Sequence, residues 1–306
     1  MGVDPLFVTL AAARARLVAA GVFPREAAVD VDLFARAALG WDRARLISEQ
    51  HAATPDTLEP AFSTFLTRRA RREPSAYIIG SREFWGLDFQ VTPAVLIPRP
   101  ETEFVVEEAI ALLRADGPAA RDGGRRIADI GTGCGCIAVS LAHELPDARV
   151  TATDVSADAL AVARLNAARH GVAARIDFAE TSYLDGIDGP FDLIGANPPY
   201  VKAGDKPALS IEVRHEPDVA LFGGSSGFVH IDAVLDAALR TLGPGGWLVM
   251  EFGFAQDEEV EQRIAARPGL RLLRIRADLQ GIPRTAVVQR VPASSRASSG
   301  VGPDSM

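Results

Sequence analysis

Apolar positions recur at helical spacing over residues 33–39 and 62–66, and alanine, leucine and arginine dominate 5–72, which predicts a small bundle of four or five short helices. Gly21, Gly40-Trp41 and Thr54-Pro55 punctuate the bundle, and Pro24, Pro55 and Pro60 stand near helix starts. The pattern changes over 76–98. There 83–90 and 91–97, rich in aromatic and β-branched residues around Thr92-Pro93, predict a short hairpin joining two domains. From about residue 125 short apolar runs alternate with amphipathic stretches. Residues 125–130, 149–153, 176–179, 191–196 and 247–252 read as buried strands, with helices over 137–145, 157–170, 230–242 and 256–266; 270–277 and 285–291 complete the sheet. Such alternation means an α/β domain with a mostly parallel, doubly wound sheet. The expected organisation is a helical domain over 1–75, a hairpin linker over 76–98, an α/β domain over 99–291 and a disordered Ser-, Pro- and Gly-rich tail over 292–306. No internal repeat is visible.

Composition narrows the function classes. A net charge of −8 argues against a protein that binds nucleic acid by its whole surface. No apolar stretch approaches the roughly 18 residues of a membrane span, and Arg14 and Arg16 interrupt 6–20 where a signal peptide needs an apolar core. Met1-Gly2 lacks the Ser or Thr that myristoylation wants at the sixth position, which is Leu6. The only cysteines, Cys134 and Cys136, lie too close for an ordinary structural disulfide, so a cytoplasmic protein is expected. Neither these cysteines nor the five scattered histidines form a metal-ligand pattern, and no metal is expected. The run Arg68-Arg69-Ala70-Arg71-Arg72 reads as a solvated helix end favoured by the dipole, the sharper reading being a contact to an acidic partner or RNA.

Two segments carry chemistry. The first sheet strand runs into Asp129-Ile130-Gly131-Thr132-Gly133-Cys134-Gly135, where glycines let the backbone turn sharply and approach a ligand. Cys136 stands where a dinucleotide fingerprint wants its third glycine, which counts against NAD. Asp154 ends the next strand, where an acid can accept both ribose hydroxyls of an adenosine. A nucleoside without a pyrophosphate fits both facts. S-adenosylmethionine is such a ligand, and its cationic sulfonium suits a site carrying Asp129.

The second segment, Asn197-Pro198-Pro199-Tyr200, follows the fourth sheet strand, at the strand ends where open α/β sheets bind ligands. Consecutive prolines remove two donors and leave the Asn197 and Pro198 carbonyls as rigid acceptors. The Asn197 side chain adds an acceptor oxygen. This array suits a planar –NH2 group, with one hydrogen on Asn197, the other on the Pro198 carbonyl, and Tyr200 stacked on the flat group. Such a nitrogen delocalises its lone pair; two fixed acceptors draw its hydrogens out of plane and stabilise the charge that grows during methyl transfer. By itself the segment separates neither an adenine from a glutamine amide nor either from a non-catalytic adenosine-binding module.

The chain resembles the HemK/PrmC family of protein-(glutamine-N5) methyltransferases acting on peptide chain release factors. The likeness runs through Glu73-Pro74, Tyr77 to Gly80, Glu83-Phe84 with Gly86, Leu96-Ile97-Pro98-Arg99-Pro100-Glu101-Thr102-Glu103, Asp129 to Gly135, and Asp154. It continues through Ala159-Leu160, Asn166-Ala167, Asn197 to Tyr200, Glu216-Pro217, Ala220-Leu221, Gly223-Gly224, Gly245-Gly246, and Glu251 with Gly253 and Gln256. The stretch 97–103 ahead of the glycine turn is the most specific part. It favours the release-factor branch over the sibling acting on a ribosomal protein, and over adenine-N6 methyltransferases that share only Asn-Pro-Pro-Tyr.

The resemblance implies a Rossmann-like, seven-stranded class I methyltransferase domain behind a small N-terminal helical bundle that docks the substrate, and a monomer contacting neither membrane nor nucleic acid. It implies that Gly131, Thr132, Gly133, Cys134 and Gly135 wrap the methionine part of S-adenosylmethionine, that Asp154 holds the ribose, and that S-adenosylhomocysteine is the product. Asn197, Pro198, Pro199 and Tyr200 would hold the glutamine of the Gly-Gly-Gln loop, with Asn197 also touching the cofactor and Asn197, Pro198 and Tyr200 serving catalysis. Where the family has an Asp and an aromatic after the third strand, this chain has Thr181 and Ser182, flanked by Glu180 and Tyr183; Ser182 is taken as the cofactor contact. Further departures are Ser226-Gly227-Phe228 and Gly281-Ile282-Pro283-Arg284.

Overall fold

Five helices open the chain: α1 (Leu6–Ala19), α2 (Pro24–Leu39), α3 (Arg43–Ser48), α4 (Ala61–Ala70) and α5 (Ser75–Ile79). The computed structural model describes residues 4–116 and 124–291. Met1-Gly2 and the 292–306 tail, expected to be disordered, lie outside them. Leu6, Leu10, Leu17, Val31, Phe34, Phe62 and Leu66 meet in one core, the apolar stripe of each helix turned inward. Pro24 stands at the start of α2, where a missing N–H costs nothing. Asp42 caps α3, its Oδ1 accepting from the Arg45 N–H at 2.7 Å.

The hairpin pairs β1 (Ser81–Phe84) with β2 (Leu87–Gln90), and its turn falls at Trp85-Gly86 rather than around Thr92-Pro93. Trp85 and Gly86 take φ of +54° and +68°, the left-handed pair that a two-residue hairpin needs. A tryptophan there is unusual, and carboxylates hold it. The Trp85 N–H donates to Glu103 Oε1 at 2.9 Å and the Gly86 N–H to Glu83 Oε1 at 2.7 Å. Residues 91–97 form no strand; Val91, Val95 and Ile97 are buried with Tyr77, Cys134, Ala159 and Val162, and the Tyr77 hydroxyl donates to the Val95 carbonyl at 2.5 Å.

A helix absent from the predicted elements follows, α6 (Glu103–Ala115), burying Val105, Val106, Ala109, Ile110, Leu112 and Leu113. Beyond it come β3 (Arg125–Ile130), α7 (Cys136–Glu144), β4 (Ala148–Asp154), α8 (Ala157–Arg169), β5 (Ile176–Glu180), β6 (Phe191–Ala196), α9 (Asp218–Leu221), α10 (Val229–Thr241), β7 (Leu242–Glu251), α11 (Asp257–Ala265), β8 (Leu270–Ala277) and β9 (Pro283–Arg290). The seven strands are ordered β5-β4-β3-β6-β7-β9-β8, parallel from β5 to β7, with β9 antiparallel to both its neighbours. One core holds residues of α6 and α7 together with the hairpin's Phe84 and Phe89; residues of α10 and α11 pack in a second. Strand order reverses between β3 and β6, which opens a crevice beyond their carboxyl ends. Ile130 pairs with Ala196 there, so the loops from Gly131 and Asn197 leave the sheet side by side.

Candidate active site

The turn after β3 is built by three glycines in left-handed conformation: Gly131, Gly133 and Gly135 at φ +70°, +55° and +86°. At Gly135 an added Cβ would sit 3.2 Å from Ala163 Cβ, so the missing side chain lets α7 approach α8. Asp129 lies wholly buried behind the turn. Its Oδ2 accepts from the Thr132 hydroxyl at 2.6 Å and the Ala138 N–H at 3.1 Å, while its Oδ1 has no hydrogen-bond partner among the described residues. Burial pushes this carboxyl up to about 7 against the pull of Thr132 and Ala138. Asp154 is held from two sides, Oδ2 accepting from the Gly133 N–H and Oδ1 from the Ser156 N–H, both at 2.9 Å. Each of its oxygens keeps a further lone pair.

One cavity is lined by Gly131, Gly133, Asp154, Ser182, Asn197, Pro198 and Pro199 together with Leu96, Thr181, Tyr183 and His230. Of the expected cofactor residues, Thr132, Cys134 and Gly135 do not line it. Thr132 acts from behind, through Asp129; Gly135 meets α8; the Cys134 side chain is buried, and its carbonyl accepts from Asn166 Nδ2 at 2.8 Å. Asn166 also exchanges hydrogen bonds with the Gln90 backbone, at 2.7 and 3.0 Å, which ties the hairpin to the turn. The hydrogen bond with Cys134 and burial together push the Cys136 thiol well up. Among the described residues no group of three or more His, Cys, Asp or Glu stands ready for a metal ion. Tyr183 lines the cavity where Glu180 does not. Its backbone is left-handed, φ +53°, its carbonyl accepts from the Thr153 hydroxyl at 2.6 Å, and its hydroxyl pairs with His230 Nδ1 at 2.9 Å. His230, given no role from sequence, reaches the cavity from the first turn of α10, a position that periodicity cannot reveal.

Tyr200 lines an adjoining pocket, shared with Asn197, Pro198, Pro199, Leu96, Arg99 and Val213. Behind it runs a chain of buried hydrogen bonds. The Thr102 hydroxyl donates to Glu251 Oε2 at 2.6 Å, the Tyr200 hydroxyl donates to Glu251 Oε1 at 3.0 Å, and Asn197 Nδ2 donates to Thr102 Oγ1 at 3.1 Å. The single Thr102 proton is committed to the carboxylate, so toward Asn197 its oxygen can only accept. That fixes the amide: its NH2 faces Thr102 and its Oδ1 faces away. Neither Asn197 Oδ1 nor the Pro198 carbonyl accepts a hydrogen bond among the described residues. Glu251 is 1% exposed, and burial raises its carboxyl. The Glu251 charge, with burial, pushes the Tyr200 phenol far up, so it stays a donor. Tyr200 was expected to stack on a flat group. Its hydroxyl is held by Glu251, and its backbone carbonyl accepts from Gln256 Nε2 at 3.1 Å. Thr102 and Glu251 had no role assigned from sequence. The available signal is that both lie in stretches that carry the family resemblance, Thr102 within 97–103 and Glu251 beside Gly253.

Residues 9–80 match the family described as PrmC N-terminal domain, and residues 110–215 match that described as methyltransferase small domain. The release factor glutamine methyltransferase of Bradyrhizobium diazoefficiens is 41% identical over 268 residues, 87% of this chain and 89% of that protein. The release factor glutamine methyltransferase of Geobacter sulfurreducens is 46% identical over 237 residues, 76% of this chain and 80% of that protein. Among solved structures a methyltransferase from Pyrococcus furiosus matches with a TM-score of 0.51 at 20% identity, over 74% of this chain and 99% of that one, a likeness of fold.

Proposed function

The chain belongs to the release factor glutamine methyltransferase family, and from that premise we propose that it methylates N5 of the glutamine in the Gly-Gly-Gln motif of peptide chain release factors, with S-adenosylmethionine as donor. The observation that carries this reading is the orientation of Asn197. With Nδ2 donating to Thr102, Oδ1 is left as an acceptor, and Asn197 and Pro198 line both the cavity and the adjoining pocket. Two such acceptors, Asn197 Oδ1 and the Pro198 carbonyl, would match the two hydrogens of a primary amide.

S-adenosylmethionine supplies the electrophilic methyl group when bound. The residues fit it. Gly131 and Gly133 leave open space where side chains would stand, and Asp154 keeps lone pairs for the ribose hydroxyls. Ser182, Tyr183 and His230 line the remaining wall, where we place the adenine. Asn197 Oδ1 and the Pro198 carbonyl would accept hydrogen bonds from the amide hydrogens, turn the nitrogen lone pair toward the methyl group, and stabilise the positive charge that grows on nitrogen until one of those hydrogens leaves as a proton. Pro199 keeps that backbone rigid, and Tyr200, tied to Glu251, fixes the far end of the segment. Among the described residues no helix is long and apolar enough to cross a membrane, and we place the protein in the cytoplasm with its substrate.

Purified enzyme, labelled cofactor and purified release factor test the proposal. The expected result is one methyl group on the loop glutamine, located by mass spectrometry and lost when that glutamine is changed. Labelling of DNA or RNA in place of release factor overturns it.

A further inference from the structure

Two arginines of the run that closes the helical segment, Arg69 and Arg72, are not solvated, whereas Arg71 is exposed and Arg68 pairs with the nearby Glu73. Arg69, in α4, is 3% exposed. Its Nε donates to Asp30 Oδ2 at 2.6 Å and its Nη1 to Glu212 Oε1 at 2.9 Å, with Glu26 Oε2 3.5 Å from Nη2. Arg72, just beyond α4, sends Nε to Glu212 Oε1 at 2.6 Å, Nη2 to Glu212 Oε2 at 2.9 Å, and Nη1 to the Gly21 carbonyl at 2.9 Å. Its backbone holds the left-handed φ of +66°, a conformation costly for a side-chain-bearing residue and kept only where surrounding contacts impose it.

One carboxylate, 140 residues away in sequence, is therefore gripped by two guanidiniums, one of them in a bidentate fork. Burial acts to raise the Glu212 carboxyl, and Arg72 and Arg69 overcome it, holding the group at about 2. Glu212 belongs to the excursion between β6 and α9. Next to it, Val213 lines the pocket that holds Tyr200. Four residues on, Glu216 accepts from the Ile97 N–H at 3.1 Å and from Arg99 Nη2 at 2.5 Å, and Arg99 lines the same pocket.

We propose that Arg69, Arg72 and Glu212 are positioning residues for the protein substrate: they clasp the wall of the pocket beside Tyr200 to the helical segment, so that a substrate held by that segment meets the wall at a fixed distance. The proposal rests on the release-factor reading above. A purely structural pair would matter only for stability, since replacing a buried ion pair is often neutral and removing one partner strands a charge. Arg72→Gly separates the two roles. Glycine adopts φ +66° without strain, and Arg69 remains to neutralise Glu212.

Steady-state kinetics with intact release factor, S-adenosylhomocysteine calorimetry and hydrogen exchange over 209–216 form the test. For Arg72→Gly and Glu212→Gln we expect KM for release factor to rise about tenfold, the Kd for S-adenosylhomocysteine to stay within twofold, and exchange over 209–216 to quicken. Unchanged KM or unchanged exchange overturns the clasp, and so does a parallel loss of S-adenosylhomocysteine affinity, which marks general loosening. Should the unsubstituted enzyme leave release factor unmethylated, the substrate reading fails and the exchange data alone decide the clasp.

Discussion

In the proposed reaction Asn197 is useful only in one of its two amide orientations, the one in which its Nδ2 donates to Thr102. The residue types at the mouth of the slot were legible in the sequence, because prolines and a terminal asparagine announce rigid acceptors. The selector was not. Thr102 and Glu251 lie 95 residues before and 54 after Asn197 in the numbering, and a threonine near a helix start reads as nothing more than a cap. Thr102→Val removes the hydroxyl at nearly constant volume, strands Glu251 Oε2 and frees the Asn197 amide to rotate. It is expected to lower kcat by about 10- to 100-fold, less than the roughly 10²–10³-fold for losing a direct preorganised contact, whereas Thr102→Ser keeps most activity; rate measurements on both variants check this. Asp129 makes a prediction of its own. Its folded carboxyl stands near 7, above an unfolded value of about 3.9, so the folded chain binds the proton more tightly. The stability this contributes is complete below the unfolded value and is lost as pH rises through about 7. Denaturant unfolding between pH 4.5 and 8 is expected to show that loss in the cofactor-free protein, less steeply in Asp129→Asn. Parallel profiles would show that Asp129 is already ionised in the folded state.

Inner strands buried on both faces announce themselves as short apolar runs, which is why β3, β4 and β6 stand within a residue of where the pattern puts them. Other elements obey forces that the pattern does not carry. The hairpin turns at Trp85-Gly86 because the carboxylates of Glu103 and Glu83 stabilise a left-handed pair. The β-branched residues of 91–97 are apolar because they fill a gap under Tyr77, not because they pair. Arg69 and Arg72 show the same lesson: their charges meet Glu212, a carboxylate that no local window contains. At the glycine turn, local and tertiary demands coincide. Gly135→Ala meets both a left-handed φ and the Ala163 contact at 3.2 Å, and is expected to cost about 1–3 kcal/mol of stability. Chemical denaturation measures it, and a variant as stable as the parent would mean that α7 shifts freely against α8.

Across the molecule, three distant parts converge on the crevice where strand order reverses. The turn after β3 and Asp154 line the cavity, the segment after β6 lines both the cavity and the adjoining pocket, and the helical segment reaches the outer pocket wall through Glu212. Topology brings the first two together through the Ile130–Ala196 register, and this much follows from a sequence that alternates strands and helices. What the sequence left open is the substrate-side wall, because Arg69, Arg72, Arg99, Glu212 and Glu216 act through pairings that only the folded chain creates. The acceptor at Asn197 is central to the proposed methyl transfer. Single-turnover methyl transfer to release factor by Asn197→Ala, with S-adenosylhomocysteine affinity measured in parallel, tests it most directly. The prediction is a fall in rate of about 10²–10³-fold, with affinity changed by less than about tenfold, or roughly 1.4 kcal/mol. A near-normal rate, or a loss explained wholly by weaker S-adenosylhomocysteine binding, would contradict it.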